Sequence, residues 1–319
     1  MNYIVFDLEW NQSPGGKKYS NSRLPFEIIE IGAVKMNEKR EPVDVFQRLI
    51  KPQVYNWIHD SIHEVIHVDY KDLADGLPFP EAVREFLDWC GDDFAFFTWG
   101  NQDVMELQRN MKYYDLLFLL PGPVKYYDVQ KIFCMCCKEA GGRRSLEFAI
   151  DQLDIPKEQT FHRALTDARY TAMVLKWVDE KTLFTNYSMD VYQNPKKKKD
   201  ELFLSYPDHD QYVSREFTDR DKIMRDREVT STKCPICHLP AKRKIRWFMN
   251  NSKAYESISL CQKHGYVKGK IRIRHTEEDR YYVIKTLKNV GNEKAEEIRE
   301  KRDSLRKKRQ IKRKSEKQI

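Results

Sequence analysis

The stretch Phe6-Asp7-Leu8-Glu9-Trp10 constrains this chain more than any other. Residues 3–10 read as a strand, and strand periodicity puts Asp7 and Glu9 on one face with Leu8 on the other. Two like charges side by side near a core are costly unless a cation sits between them. A third acid, Asp103, follows a short apolar strand at 94–99 and the turn Gly100-Asn101-Gln102, where a helix begins. A fourth, Asp167, lies on a helix at 164–178, five residues after His162. Hard oxygen ligands from several elements suit Mg²⁺ or Mn²⁺, and four carboxylates have the capacity for two such ions.

The pattern around these acids is that of an α/β domain. Strands at 27–36 and 43–50 follow the first, joined by the turn-like Asn37-Glu38-Lys39-Arg40-Glu41-Pro42, which predicts an antiparallel meander. A helix at 81–90 carries Val83, Phe86, Leu87 and Cys90 on one face. Further helices are predicted from Val104 to Met111, over 128–140 up to Gly141-Gly142, and over 164–178. Strands followed by alternating helices and strands give a sheet covered by helices. The domain expectation is an α/β unit over 1–185, a charged linker over 186–232, a basic cysteine-bearing module over 233–275 and a basic tail over 276–319. Asn292 is a plausible N-cap for a helix in that tail.

Charge is distributed unevenly. Residues 1–185 hold 22 basic and 29 acidic side chains, whereas residues 233–275 hold 11 and 1. A basic module beside an acidic one points to a polyanionic partner such as nucleic acid. The acids at Asp7 and Glu9 interrupt any leader-like apolar start, and the longest apolar run, 116–120, is far short of a membrane span. Seven cysteines, an odd count without an export signal, argue for reduced thiols or a metal site. The expectation is a soluble cytoplasmic protein with no membrane partner.

The acidic set resembles that of the DnaQ-like 3′–5′ exonucleases of the DEDDh class, nearest to the RNA-processing branch with the histone-mRNA and RNA-interference exonucleases and the bacterial sporulation-inhibitor relatives. The resemblance rests on Asp7-Leu8-Glu9, on Glu27-Ile28-Ile29-Glu30-Ile31-Gly32-Ala33-Val34, on Trp99-Gly100-Asn101-Gln102-Asp103, and on His162 through Asp167, within residues 1–180. It implies an RNase H-like mixed sheet of five strands in the order 3-2-1-4-5. It also implies removal of nucleotides one at a time from a 3′ end, with RNA preferred and 5′-monophosphates released. By the same resemblance, Asp7, Glu9, Asp103 and Asp167 bind two Mg²⁺ or Mn²⁺ ions and His162 takes the proton from the attacking water. Imidazole suits that task near neutral pH. Glu30 falls in a matching stretch and is expected to have a structural or supporting role. Trp10 and Trp99 are expected in core packing. Asn101-Gln102 departs from the aromatic or acidic pair common in relatives. A DNA exonuclease and a non-catalytic nucleic-acid-binding regulator on the same fold stay open as alternatives.

His63-Glu64-Val65-Ile66-His67 spells the zincin motif, with His59 one turn earlier. Pro52 upstream and Gly76 and Pro78 downstream leave little room for the long helix a zincin needs. A histidine-rich surface helix is the better reading. Cys234-Pro235-Ile236-Cys237 and Cys261-Gln262-Lys263-His264 are two-residue-spaced pairs that together suit one tetrahedral Zn²⁺ in a ribbon-like module, with His238 as a substitute for His264. Lys242-Arg243-Lys244-Ile245-Arg246-Trp247-Phe248 and Lys268-Gly269-Lys270-Ile271-Arg272-Ile273-Arg274 suit phosphate contact with base stacking, by RNA, DNA or a ribosomal surface. Cys136 follows a helical core pattern with Val129, Ile132, Phe133 and Ala140, its neighbours Cys134 and Cys137 ride along, and the three are assigned no chemistry.

Overall fold

The structure is a computed structural model that describes residues 1–57, 70–137, 142–157 and 161–315. His59, His63, Glu64 and His67 lie outside the described residues. Two compact units divide at Gln193 and Asn194.

In the first unit, β1 (Asn2–Gln12) and β2 (Phe26–Met36) are buried along most of their lengths, as central strands covered on both faces must be. With β3 (Pro42–Leu49), β4 (Phe94–Thr98), β5 (Val124–Asp128) and β6 (Ser188–Asp190) they form a sheet of order β3-β2-β1-β4-β5-β6. The expected five-strand order is present, extended by β6 at one edge. β1 runs antiparallel to β2 and parallel to β4, and β4 runs parallel to β5. Helices cover both faces, giving the RNase H-like architecture.

Side-chain alternation along β1 decides which helices meet which residues. Ile4, Phe6 and Leu8 face one core, packed with α2 (Phe79–Cys90) and α3 (Gln102–Tyr113), after the short α1 (Tyr70–Ala74). Helix α2 takes its expected face, with Val83, Phe86 and Cys90 buried, and ends at Gly91, whose φ of 84° a side chain would disfavour. Tyr3 and Val5 face the opposite core with α4 (Val129–Cys136), α5 (Leu146–Gln152) and α6 (Ala164–Trp177). Asp7 and Glu9 continue that row at the C-terminal end of the strand. Helix α4 is shorter than its apolar pattern suggests: Asp128 caps its start by accepting from Lys131 N–H, and Cys137 is already extended.

The contact that brings α6 to the strand passes over Gly32. Gly32 pairs with Asp7 across β1 and β2. A Cβ there would lie 2.0 Å from Leu165 N and 2.2 Å from Ala164 C. Only the missing side chain lets the first turn of α6 rest on the sheet.

The second unit is built on an antiparallel sheet of order β7-β8-β12-β11-β10-β9. Its strands are β7 (Leu202–Ser205), β8 (Asp210–Val213), β9 (Lys242–Met249), β10 (Tyr255–Cys261), β11 (Gly265–His275) and β12 (Tyr281–Val290). The stretch 186–232 is therefore no linker. It supplies β6 to the first sheet and β7, β8 and the short helices α8 (Arg220–Ile223) and α9 (Arg227–Thr230) to the second unit, after α7 (Glu180–Thr185) closes the first. Its few apolar residues do not look like a core alone. Tyr212, Phe217, Ile223 and Val229 are buried because Ile271 and Val283, far along the chain, complete their cluster. Likewise 276–319 is not all tail: β12 pairs with β11 from Tyr266↔Val290 to His275↔Tyr281. The basic helix α10 (Asn292–Ser315) follows, seating Ala295 and Ile298 against Ile245 and Ile258. Among the described residues no helix is long and apolar enough to cross a membrane.

Replacing Gly32 by alanine should destabilise the first unit by about 2 kcal/mol, the ordinary cost of overpacking. Chemical unfolding monitored by tryptophan fluorescence reads this; a variant as stable as the parent would mean that α6 does not need the close approach.

Candidate active site

The C-terminal end of β1 and the first turn of α6 bring carboxylate oxygens of Asp7, Glu9 and Asp167 within 4.8 Å of one another. Asp103, in the first turn of α3, lies outside that group but faces the same cavity. Its buried carboxylate accepts the N–H of Leu8, so it holds the backbone between Asp7 and Glu9. His162 is exposed on the cavity wall, with φ of 67° in the left-handed region, and its N–H donates to Asp167 Oδ2 at 3.3 Å. The five positions read from the sequence are thus brought to one cavity of about 550 Å³.

Two ion pairs hold the walls, and the sequence reading identified neither. Arg163 Nε and Nη2 donate to Glu30 Oε2 and Oε1 at 3.0 and 3.1 Å. Gln47 Nε2 adds a bond to Glu30 Oε1 at 2.7 Å. Glu30 is 1% exposed and sits directly across from Glu9 in the β1–β2 register. This clamp ties the loop carrying His162 to the sheet and sets a positive group beside the acids, the supporting role expected for Glu30. On the opposite wall, Arg143 Nη2 donates to buried Asp128 Oδ2 at 2.7 Å and Nη1 to Gln130 Oε1 at 2.6 Å. Arg143 is the one fixed positive charge among the described lining residues. Nothing in the local sequence marks it; Asp128 is legible only as a helix start.

Trp10 and Trp99 each serve two surroundings. Both line the cavity, yet Trp10 packs against Phe26 and Trp99 against Phe133. The core packing expected of them is present, and each residue also lines the site. Gly100, which follows Trp99, has φ of 114°, which suits glycine, and Thr98 Oγ1 donates to its carbonyl at 2.7 Å.

Like charges in a dry setting hold protons. Burial, and then the charges of Asp103 and Glu9, push the Asp7 carboxyl well above the usual carboxylate range. Burial with Asp167 and Glu30 raises Glu9 to about 8. Burial raises Asp103 to about 7 and Asp167 to about 6. Asp167 Oδ1 is buried and has no hydrogen-bond partner among the described residues. An unpaired carboxylate oxygen facing two more carboxylates is the donor set of a hard divalent cation, which replaces the protons and relieves the repulsion.

A second cluster occupies the other unit. Cys234 Sγ is 3.5 Å from His264 Nδ1, Cys237 Sγ is 3.7 Å from Cys261 Sγ, and Cys261 Sγ is 3.8 Å from His264 Nδ1. Zn–S bonds of about 2.3 Å give a tetrahedron with edges of about 3.8 Å, so the four residues fit Zn²⁺. Burial alone would raise the Cys234 thiol, but the N–H groups of Cys237 and Ile236, with Asn289 and His264, bring it below its ordinary value. His238 instead lies 3.5 Å from Asp210 Oδ2 and is not part of this group. Trp247, expected on a stacking surface, packs inward: its Nε1 donates to Thr230 O at 2.9 Å and its ring covers Gly269, where a Cβ would approach to 2.4 Å. Cys134, Cys136 and Cys137 pack at the edge of the first core and form no metal-holding group among the described residues.

The RNase_T family, described as exonucleases, matches residues 4–175. Among solved structures, the nuclease domain of 3′hExo, a DEDDh family member bound to rAMP, is 18% identical over 55% of this chain and 90% of its own, with a TM-score of 0.47. Cell-death related nuclease 4 is 17% identical over 61% and 71%, with a TM-score of 0.46. The E. coli ExoI–ssDNA complex is 13% identical over 55% and 40%, with a TM-score of 0.44. No curated protein matches the chain significantly.

The raised carboxyls set the sign of a pH effect. With Glu9 near 8, Asp103 near 7 and Asp167 near 6, the metal-free folded chain binds more protons than the unfolded chain above about pH 4. Their contribution to stability therefore falls as pH rises towards 8, and Mg²⁺ or Mn²⁺ should restore it. Unfolding in Mg²⁺- and Mn²⁺-free buffer at pH 5.5 and pH 8, repeated with either ion and with Asp7→Asn, reads this. A slope insensitive to both the ion and the substitution would show that the acids do not share a cation.

Proposed function

The chain belongs to the RNase_T exonuclease family, and on that premise we propose that it is a metal-dependent 3′–5′ exonuclease acting on RNA and releasing nucleoside 5′-monophosphates. The observation that carries this reading is the convergence of Asp7, Glu9 and Asp167 within 4.8 Å. When bound, two Mg²⁺ or Mn²⁺ ions supply Lewis acidity and offset the charge that builds on the phosphate. Asp7, Glu9, Asp103 and Asp167 would hold them. Asp103 also acts on its neighbours, through its charge on Asp7 and its bond to the Leu8 amide. His162 accepts the proton of the attacking water at an imidazole nitrogen, and its exposure leaves the ring room to approach a bound strand. The Arg163–Glu30 clamp sets where His162 and Asp167 stand. Substrate contacts fall to the cavity walls, where Arg143 offers charge and Trp10 and Trp99 offer aromatic side chains. The seven unpaired thiols accord with a cytoplasmic location.

Incubation with 5′-labelled single-stranded RNA and matched DNA, with Mg²⁺, Mn²⁺ or EDTA, tests the reading. A metal-dependent ladder shortening from the 3′ end is expected, faster on RNA. Asp7→Ala should lower the rate by about a thousandfold and His162→Ala by about a hundredfold. Faster loss of the DNA strand would make it a DNA exonuclease. Strand binding without shortening would make it a regulator on an exonuclease scaffold.

In the same reading one structural Zn²⁺ is held by Cys234, Cys237, Cys261 and His264. Elemental analysis should find one zinc per chain in the parent and none in Cys237→Ser, whose second unit should melt at lower temperature. Unchanged melting and no zinc in the parent would remove the metal from the account.

A further inference from the structure

The second unit carries a groove whose chemistry the active site does not use. Strand β9 is the edge of its sheet, and its pairing with β10 slips twice, between Glu256 and Ile258 and between Ile258 and Ser259. Regular alternation would send Arg243 and Lys244 to opposite faces. At each slip β9 has one more residue than β10, and such bulges re-aim consecutive side chains towards the same side. The result is that Arg243, Lys244 and Arg246 line one cavity of about 550 Å³, together with Ser231, Thr232 and Ser259.

Three features make this more than a solvated edge. No acid lines the cavity, and none of the three cations has an ion-pair partner among the described residues. Ser259 is 1% exposed, and its Oγ is buried without a hydrogen-bond partner among the described residues. Three unpaired cations beside an unused buried hydroxyl form a donor set that lacks its acceptor. The surrounding unit, with 35 basic and 19 acidic side chains over 194–319, adds a positive field that draws a polyanion.

We propose that this groove binds the phosphodiester backbone of a single nucleic-acid strand, with Arg243, Lys244 and Arg246 on successive phosphates and Ser259 Oγ donating to one phosphate oxygen. The choice of nucleic acid rests on the exonuclease reading; the anion site itself does not. With Trp247 turned inward, the groove contacts phosphate rather than bases, so it tethers strands without reading sequence. The exonuclease unit can then keep hold of a polymer while its end is shortened.

The test is strand binding by the full chain without added divalent ion, so that it does not depend on turnover. Fluorescence anisotropy with a labelled 20-nucleotide RNA and the matching DNA would compare the parent with Arg243→Ala/Lys244→Ala/Arg246→Ala, with Ser259→Ala, and with the charge-matched Lys197→Ala/Lys198→Ala/Lys199→Ala. The groove triple variant should weaken binding at least tenfold on one or both strands. Its slope of log Kd against log salt should shrink by about 2, as loss of three single-strand phosphate contacts requires. Ser259→Ala should weaken binding about threefold with little change in slope. In the presence of Mg²⁺ or Mn²⁺, the groove variant should cleave a trinucleotide as the parent does and lose rate on the 20-mer alone. Binding within twofold of the parent, or equal weakening by the control, would overturn the proposal. So would self-association of the groove variant with unchanged binding, because bases and bulges on an edge strand also guard it against pairing with another copy. A catalytically silent chain whose groove variant still loses strand binding would refute the exonuclease reading and leave the groove standing.

Discussion

Everything in the first unit turns on the repulsion between Asp7, Glu9 and Asp167, three carboxylates gathered within 4.8 Å at the end of a buried strand. Left to themselves such groups separate or hold protons. They stay together because the sheet and α6 are held by contacts that do not involve them. Gly32 removes the side chain that would keep the helix off the sheet, and the Tyr3 and Val5 row packs against the same helix lower down. The apolar core thus supports the electrostatic strain at its rim, which bound divalent cations would relieve.

The surrounding ion pairs show how that strain is confined. Glu30 lies across from Glu9 and would deepen the repulsion, but two bonds from Arg163 neutralise it and pin the segment leading into α6. Asp128, also buried, is matched by Arg143, which in turn faces the cavity. Glu30 and Asp128, buried beside the site, each have a cation of their own. Asp7, Glu9, Asp103 and Asp167 have no ion-pair partner among the described residues, and that contrast separates a reactive cluster from a structural one.

The second unit solves a different problem. Its apolar residues are sparse and spread from Tyr212 to Ile298, too far apart along the chain to declare a core. A meander of antiparallel strands collects them, and the Cys234, Cys237, Cys261 and His264 group suits a metal staple at one end. Sparse burial leaves strand faces free for charge. Bulges on β9 gather that charge on one side, where regular pleating would spread it over both.

How much of this was legible depended on whether the signal was local. Strand alternation placed Asp7 and Glu9 on one face, helix periodicity located α2 and α6, and the paired two-residue spacings marked the cysteine group, because each of these lies within a few residues of chain. The resemblance extended that to Asp103, His162 and Asp167 as one set. The sequence could not show that 194–232 folds, since Tyr212 and Val229 become core residues only against Ile271 and Val283. Nor could it show Arg143 at the cavity, Arg163 on Glu30, or the inward turn of Trp247. Local spacing determines what one element can present. Which charges meet, and which remain without partners, is decided only when separate elements pack and water is excluded between them.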